Sequence, residues 1–233
     1  MGLSSIPPGP ISYTPSSYVP PSSTQHRELP VPAGTSPFHV KGLAYRGFEA
    51  YAKRNVAGGM DRVRAEVDDP ALRAFLMQPF MAGSWYDVLP VVPLASAIAA
   101  LERSSMEDFV RRTSRRQALY DAQHVHKRFF QGYPPSSLVS RLPRFFMQYT
   151  DFGRAEVAEA AEVTGPETGQ GTVIRTGVPA FILPWFLPMN EAYIEAILDG
   201  MGSARPRAKG QVLPKDGEVA GVPTVTVRFR MMW

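Results

Sequence analysis

The side chains of this chain best suited to chemistry are two histidines. His124 and His126 lie in the stretch Tyr120-Asp-Ala-Gln-His-Val-His-Lys-Arg-Phe-Phe130. An imidazole can carry a proton near neutral pH or give a lone pair to a metal. On a helix, side chains two residues apart point in different directions, so this pair cannot chelate one ion as residues four apart do. An exposed histidine beside a core-facing one explains the spacing; a lone imidazole lining a cavity is the chemical alternative. Arg111, Arg112, Arg115 and Arg116 form a basic stripe at i, i+4 spacing. Such a stripe either meets phosphates and acidic headgroups or forms a solvated face, here paired with Glu107 and Asp108. Trp85, Trp185, Phe181, Phe186, Phe145 and Phe146 either enclose an apolar ligand or pack as ordinary core.

Several chemistries drop out on composition alone. The chain has no cysteine, which removes disulfides, thiolate nucleophiles and cysteine-held zinc or iron–sulfur sites. Residues 165–171 are glycine-rich but lack both Gly-x-Gly-x-x-Gly and the Lys-Ser/Thr of a phosphate loop, so they read as a hairpin turn. No Ser-His-Asp set, carboxylate pair or metal-ligand spacing stands out. The net charge of +4 points to nucleic acid only if the bases cluster on one face, and most of them alternate with acids.

The elements that would position these groups follow from periodicity. Residues 1–37 are rich in Pro, Ser, Thr and Tyr and too poor in apolar groups to offset chain entropy, so they read as a disordered tail acting as a linker. From Phe38 the pattern becomes globular, in keeping with 44% hydrophobic and 20% charged residues over 233. Two short helices are expected within 40–52 and 60–67, broken by Gly58-Gly59. Asp69-Pro70 signals the next helix start, with the end near Gln78-Pro79, because an N-cap Asp accepts orphan N–H groups and Pro loses nothing at the first position. Helices follow over 91–103, 107–130 (opened by Ser105-Met-Glu-Asp108) and 136–153, with a kink or restart at Pro143. Strands over 155–163 and 172–187 then pair across the turn. A helix over 190–199 stops at Gly202, and two strand-like stretches end in Thr224-Val-Thr-Val-Arg-Phe-Arg-Met-Met-Trp233. The apolar runs are short and broken by prolines, so no membrane span is expected, and no secretory signal opens the chain.

This order, together with Phe75-Leu-Met-Gln-Pro79, Ser84-Trp-Tyr-Asp87, Asn190-Glu-Ala-Tyr-Ile-Glu-Ala-Ile-Leu-Asp-Gly200 and Trp233, resembles a family of uncharacterised proteins highly duplicated in myxobacteria. That family is similar in architecture to the heme-nitric-oxide-binding and 4-vinyl-reductase-type ligand-binding domains. The resemblance covers residues 38–233. It implies an α+β fold, a helical layer packed on a curved antiparallel sheet, with a cavity between them for a small apolar ligand. The heme-binding relatives use a helix histidine on iron and a Tyr-x-Ser-x-Arg clamp on the propionates. This chain has helix histidines but no such clamp.

The expectation is therefore a tail over 1–37 and a single ligand-binding-like domain over 38–233. It would act as a non-catalytic, cytoplasmic sensor or adaptor for a small apolar molecule or a protein partner, without specific nucleic-acid binding. A heme-based gas sensor is the alternative, and an enzyme acting in the same cavity is the third reading. Tyr120, His124, Phe145 and Trp185 are the expected ligand-lining residues. No metal and no cofactor are expected, heme being disfavoured by the missing clamp.

Overall fold

A computed structural model describes residues 28–130, 132–165 and 168–233. Side-chain caps set two of the helix starts. Asp69 takes the N–H groups of Ala71 and Leu72 on one carboxylate oxygen, with Pro70 in the first turn, and opens α3 (Pro70–Phe75). Ser105 accepts the Asp108 N–H at 3.0 Å and opens α5 (Met106–Tyr120). Helix α3 stops at Phe75, short of the expected Gln78, where Leu76 closes the last turn onto Leu72.

The first half of the chain is helical around one short hairpin. Strand β1 (His39–Lys41) and β2 (Trp85–Asp87) pair antiparallel, and α1 (Leu43–Asn55), α2 (Gly59–Ala65) and α3 lie between them in sequence. Helix α4 (Val91–Leu101) is apolar nearly all round and correspondingly buried. Helix α5 lays Phe109, Val110 and Ala118 into the core and packs along α8 (Leu183–Gly200).

The second half is a four-stranded antiparallel sheet in the order β3-β4-β6-β5. Its strands are β3 (Arg154–Gly165), β4 (Thr168–Pro179), β5 (Arg207–Val219) and β6 (Val222–Met232). One face carries α7 (Ser137–Tyr149) against β3 and β4, and α8 against β5. Period-two alternation in β6 buries Val225, Val227, Phe229 and Met231 on that face while Arg228 and Arg230 face solvent. Ile194, Ile197 and Leu198 of α8 are buried as expected, and Trp233 packs, its backbone exchanging two hydrogen bonds with Gly169. Register shifts interrupt the ladders, and the shift between Arg175 and Val178 bends β4. At that bend Gly153 (φ +69°) lies so close that a Cβ would meet the Thr176 carbonyl at 2.0 Å. The architecture is thus α+β, a helical layer on a curved antiparallel sheet, as the sequence leads one to expect.

Three boundaries differ from expectation. Residues 181–187 are helical instead of finishing a strand: Ala180–Ile182 forms a 3-10 turn and α8 begins at Leu183 with Pro184 in its first turn. A fully apolar run carries no period to separate buried strand from buried helix. The long helix expected over 107–130 is broken, with α5 ending at Tyr120, a π-helical turn over Asp121–Val125, and a short α6 (Lys127–Phe130). The third concerns the tail: residues 1–27 lie outside the described chain, but alternate residues of 28–37 pack on the domain. Leu29, Val31 and Ala33 lie against the core, and Ser36 is buried with both its N–H and hydroxyl on Asp87. The packed chain therefore starts well before Phe38.

Candidate functional site

The π-helical turn is where the polar groups of the chain converge. A π turn widens the helix by one residue, and here the His126 N–H reaches the Asp121 carbonyl at 2.6 Å. The chain then unwinds at His126 (φ −116°, ψ 26°) before α6. Unwinding lets both histidines border one open groove of about 770 Å³, also lined by Val125, Lys127, Tyr133, Ser140, Arg141 and Arg144. That volume lies in the range of small-molecule and cofactor pockets, roughly 300–1,000 Å³. Ser140, Arg141 and Arg144 come from one face of α7, three and four residues apart.

His124 is exposed, stacked on Tyr120 with ring centroids 4.5 Å apart. Its Nδ1 lies 3.0 Å from the Tyr120 carbonyl. A carbonyl only accepts, so Nδ1 donates there; in the neutral ring that leaves the lone pair on Nε2, the arrangement that outer-shell carbonyls impose on metal-binding imidazoles. His126 is half-buried, with Nε2 in a short hydrogen bond to the Tyr149 hydroxyl and its ring edge-on to Phe145 and Phe130. Burial lowers the His126 pKa, an effect that the nearby Asp121 carboxylate opposes.

Beneath the groove lies a buried acid. Asp121 accepts the Tyr193 hydroxyl at 3.0 Å and the Gln117 amide at 2.7 Å. Burial raises its pKa, while the two hydrogen bonds and His126 pull it down. Burial likewise raises Tyr149 and Tyr193, with Asp121 adding to both. Tyr193 belongs to α8, so this network joins the groove to the helix that covers the sheet. A second buried ionic group, Arg175, ties β4 to the turn after α7. It donates to Thr150 Oγ1 and, at 2.9 Å, to the Phe152 carbonyl, amid Phe146, Phe152 and Phe186. Its Nε has no partner among the described residues, and burial lowers its pKa to about 9.

Of the residues expected at the site, His124 lines the groove, and Tyr120 stacks on it without lining the groove. Phe145 is buried under His126 and beside Tyr193, ring centroids 5.2 Å apart. Trp185 is buried in the first turn of α8 and makes no ring contact with those three among the described residues. Of the wider aromatic set, Phe146 and Phe186 pack on Phe229 as core, whereas Trp85 is exposed beneath the Lys41 ammonium. The basic stripe is paired, but not with Glu107 and Asp108: Arg111 reaches Glu191 and Glu195, Arg112 reaches Glu102, and Arg115 reaches Asp199. Sequence reasoning passed over Lys127, Arg141, Arg144, Asp121, Tyr149, Tyr193 and Arg175. The only local signal was an Asp at 121 inside an otherwise amphipathic helix, since tertiary contacts bring the others together.

Among the described residues no group of three or more His, Cys, Asp or Glu is placed to hold a metal ion, and no helix is long and apolar enough to cross a membrane. No family model and no curated protein matches the sequence. Solved structures do match the fold. One is a Cs H-NOX mutant carrying 4-cyano-L-phenylalanine at site 5, with 12% identity, 82% of this chain and 96% of that chain covered, and a TM-score of 0.50. Another is the Fe(II) unliganded H-NOX mutant A71G from K. algicida, with 9% identity, 82% and 95% covered, and a TM-score of 0.50. The expectation of no cofactor, with heme disfavoured, does not stand against these matches. It rested on a missing local motif, and a motif can be absent while the architecture around a cofactor persists. The chain is related in architecture to the heme-nitric-oxide/oxygen-binding, or H-NOX, domains.

Proposed function

We propose that this chain is a non-catalytic sensor domain whose ligand is heme, held in the groove at the π-helical turn with His124 as the iron-binding imidazole. The observation that carries this reading is the placement of His124: it borders a groove of cofactor size, and its Nδ1 donates to the Tyr120 carbonyl, so that the neutral ring has Nε2 to offer a metal. Heme iron needs only one protein ligand, so it asks for no multidentate cluster of the kind missing among the described residues. Lys127, Arg141 and Arg144 suit the two carboxylates of the macrocycle, and Tyr133 and Val125 supply apolar contact. When bound, a heme iron with an open position offers a site for a diatomic gas. Basic side chains predominate among the lining residues beside apolar surface, which favours an amphiphilic anion over a wholly apolar molecule.

The chain's own residues then have separate roles. Tyr120 orients His124 by its carbonyl and by ring stacking. His126 is held by Tyr149, and Asp121 by Gln117 and Tyr193, so displacement of the π turn would be felt in α8. From α8 the Glu191 and Glu195 carboxylates take the N–H groups of Gly210 and Ala208 in β5 and the Arg111 guanidinium of α5.

Titration of the full-length apoprotein with hemin tests the reading. One equivalent is expected to give a shifted Soret band, and His124→Ala is expected to remove the shift while His126→Phe retains it. Absence of a shift, or a shift indifferent to His124→Ala, refutes the assignment.

A further inference from the structure

We infer that the loop after α3 and the exposed stripe of α1 form a membrane-docking face, in which Leu43, Met77, Met81 and Trp85 enter the surface of an anionic bilayer and Arg46, Lys53 and Arg54 meet its headgroups. The inference is independent of the groove and of heme. Residues 77–85 carry no charged side chain, and the loop holds its large apolar groups outward: Met77 and Met81 are each 64% exposed, Trp85 41% and Leu43 37%. They adjoin one another because the loop is stitched onto the corner between β1 and α1. The Gly42 and Leu43 N–H groups donate to the Ser84 and Ala82 carbonyls at 2.8 and 3.2 Å. The Tyr86 hydroxyl accepts the Met81 N–H at 2.8 Å and donates to the Pro79 carbonyl. The approach is so close that a Cβ on Gly42 would meet the Met81 carbonyl at 2.3 Å. Single exposed apolar residues need no explanation, whereas a contiguous set on a pinned loop marks an interaction surface.

Charge and chemistry select the occupant. From Leu43 the helical period carries the exposed side of α1 through Arg46, Gly47, Ala50, Lys53 and Arg54. Every charge on that side is positive, and Glu49, the one acid of α1, is half-buried off the stripe. Lys41 lies 3.6 Å over the Trp85 ring with its ammonium on the Gly83 carbonyl at 2.8 Å. An amphipathic indole and a cation therefore already share one edge, as they do at bilayer interfaces. A protein partner is met through shape and paired charges. A fluid anionic surface asks only for apolar groups that enter the headgroup layer with cations beside them, and unbranched methionines adapt to it without a fixed pocket.

Cosedimentation of the full chain with vesicles of pure phosphatidylcholine, and of an equimolar mixture with phosphatidylserine, is the test. The protein is expected to partition about tenfold or more strongly onto the mixed vesicles, and added salt should reduce the excess. M77S/M81S and R46Q/R54Q should each lose about tenfold, since a base beside an anionic bilayer is worth about fivefold and a partly inserted methionine about as much. All four side chains are exposed, so unchanged circular dichroism melts are the folding control. R228Q/R230Q removes the same charge from the solvent face of β6 and should leave binding unchanged. Trp185 and Trp233 are buried, so a blue shift of tryptophan emission on the mixed vesicles reports Trp85, and W85F is expected to abolish it. No preference for the mixed vesicles, an indifferent M77S/M81S, or an equal loss in R228Q/R230Q overturns the inference. So does a lipid-free dimer in sedimentation velocity that M77S/M81S dissociates, because the face would then belong to a second copy.

Discussion

Phe229→Ala is expected to lower the stability of the domain by about 3–5 kcal/mol, the range for deleting a fully buried aromatic side chain. Phe229 is fully buried on the inward face of β6, where Phe146 of α7 and Phe186 of α8 meet its ring at 5.9 and 6.0 Å. It is therefore the point at which the helical layer is fastened to the sheet. A would-be Cβ on Gly210 of the neighbouring strand would stand 3.1 Å from that ring, so the space around it is already filled. Arg228, one residue away on the solvent face, should cost under about 0.5 kcal/mol when changed to Ala. Urea denaturation of the two variants decides the matter, and comparable small losses would remove β6 from the core.

Asp87→Ala should cost about as much, for a different reason. Asp87 is buried and takes four hydrogen bonds on its two oxygens: Gly34 N–H at 2.8 Å, Ser36 N–H at 3.3 Å, Ser36 Oγ at 2.5 Å and Leu89 N–H at 2.9 Å. Its own carbonyl takes the hydroxyl of the buried Tyr45. Removing the carboxylate leaves several donors in the interior without an acceptor, each costing about 1–3 kcal/mol, so a loss of about 3–5 kcal/mol is expected. Ser36→Ala removes one donor and should cost about 1–2 kcal/mol. A truncation ending at Ser36 should reproduce most of the Asp87→Ala loss. Thermal melts of the three proteins are the check; an Asp87→Ala variant within about 0.5 kcal/mol of the parent would show that this junction does not hold the domain.

The Asp87 junction has no signature in the local sequence. The composition of residues 1–37 is that of a linker, yet Leu29, Val31, Ala33 and Ser36 pack on the domain, and a carboxylate some fifty positions later takes the Gly34 and Ser36 N–H groups. Local signals read well. Asp69-Pro70 and Ser105 cap helices as their chemistry requires, and the alternation in β6 sorts Phe229 from Arg228 correctly. Groups that act at a distance read poorly. Arg141 and Arg144 have the look of solvated helix positions, and Lys127 that of an ordinary surface base, until α6 and α7 are brought together around the groove. The π turn is invisible to any search for a 3.6-residue period, yet the two histidines diverge as their spacing leads one to expect, His124 exposed and His126 half-buried against Tyr149 and Phe145. The missing Tyr-x-Ser-x-Arg motif misleads about heme for a related reason: a short motif reports one way of holding a ligand and says nothing of the architecture around it.

Native mass spectrometry of the full-length protein, purified from its own source without added cofactor, tests the central claim most directly. The account predicts a population heavier than the apoprotein by the mass of one heme, absent from the His124→Ala variant. A spectrum containing only the apoprotein, or a retained molecule of another mass, would contradict it.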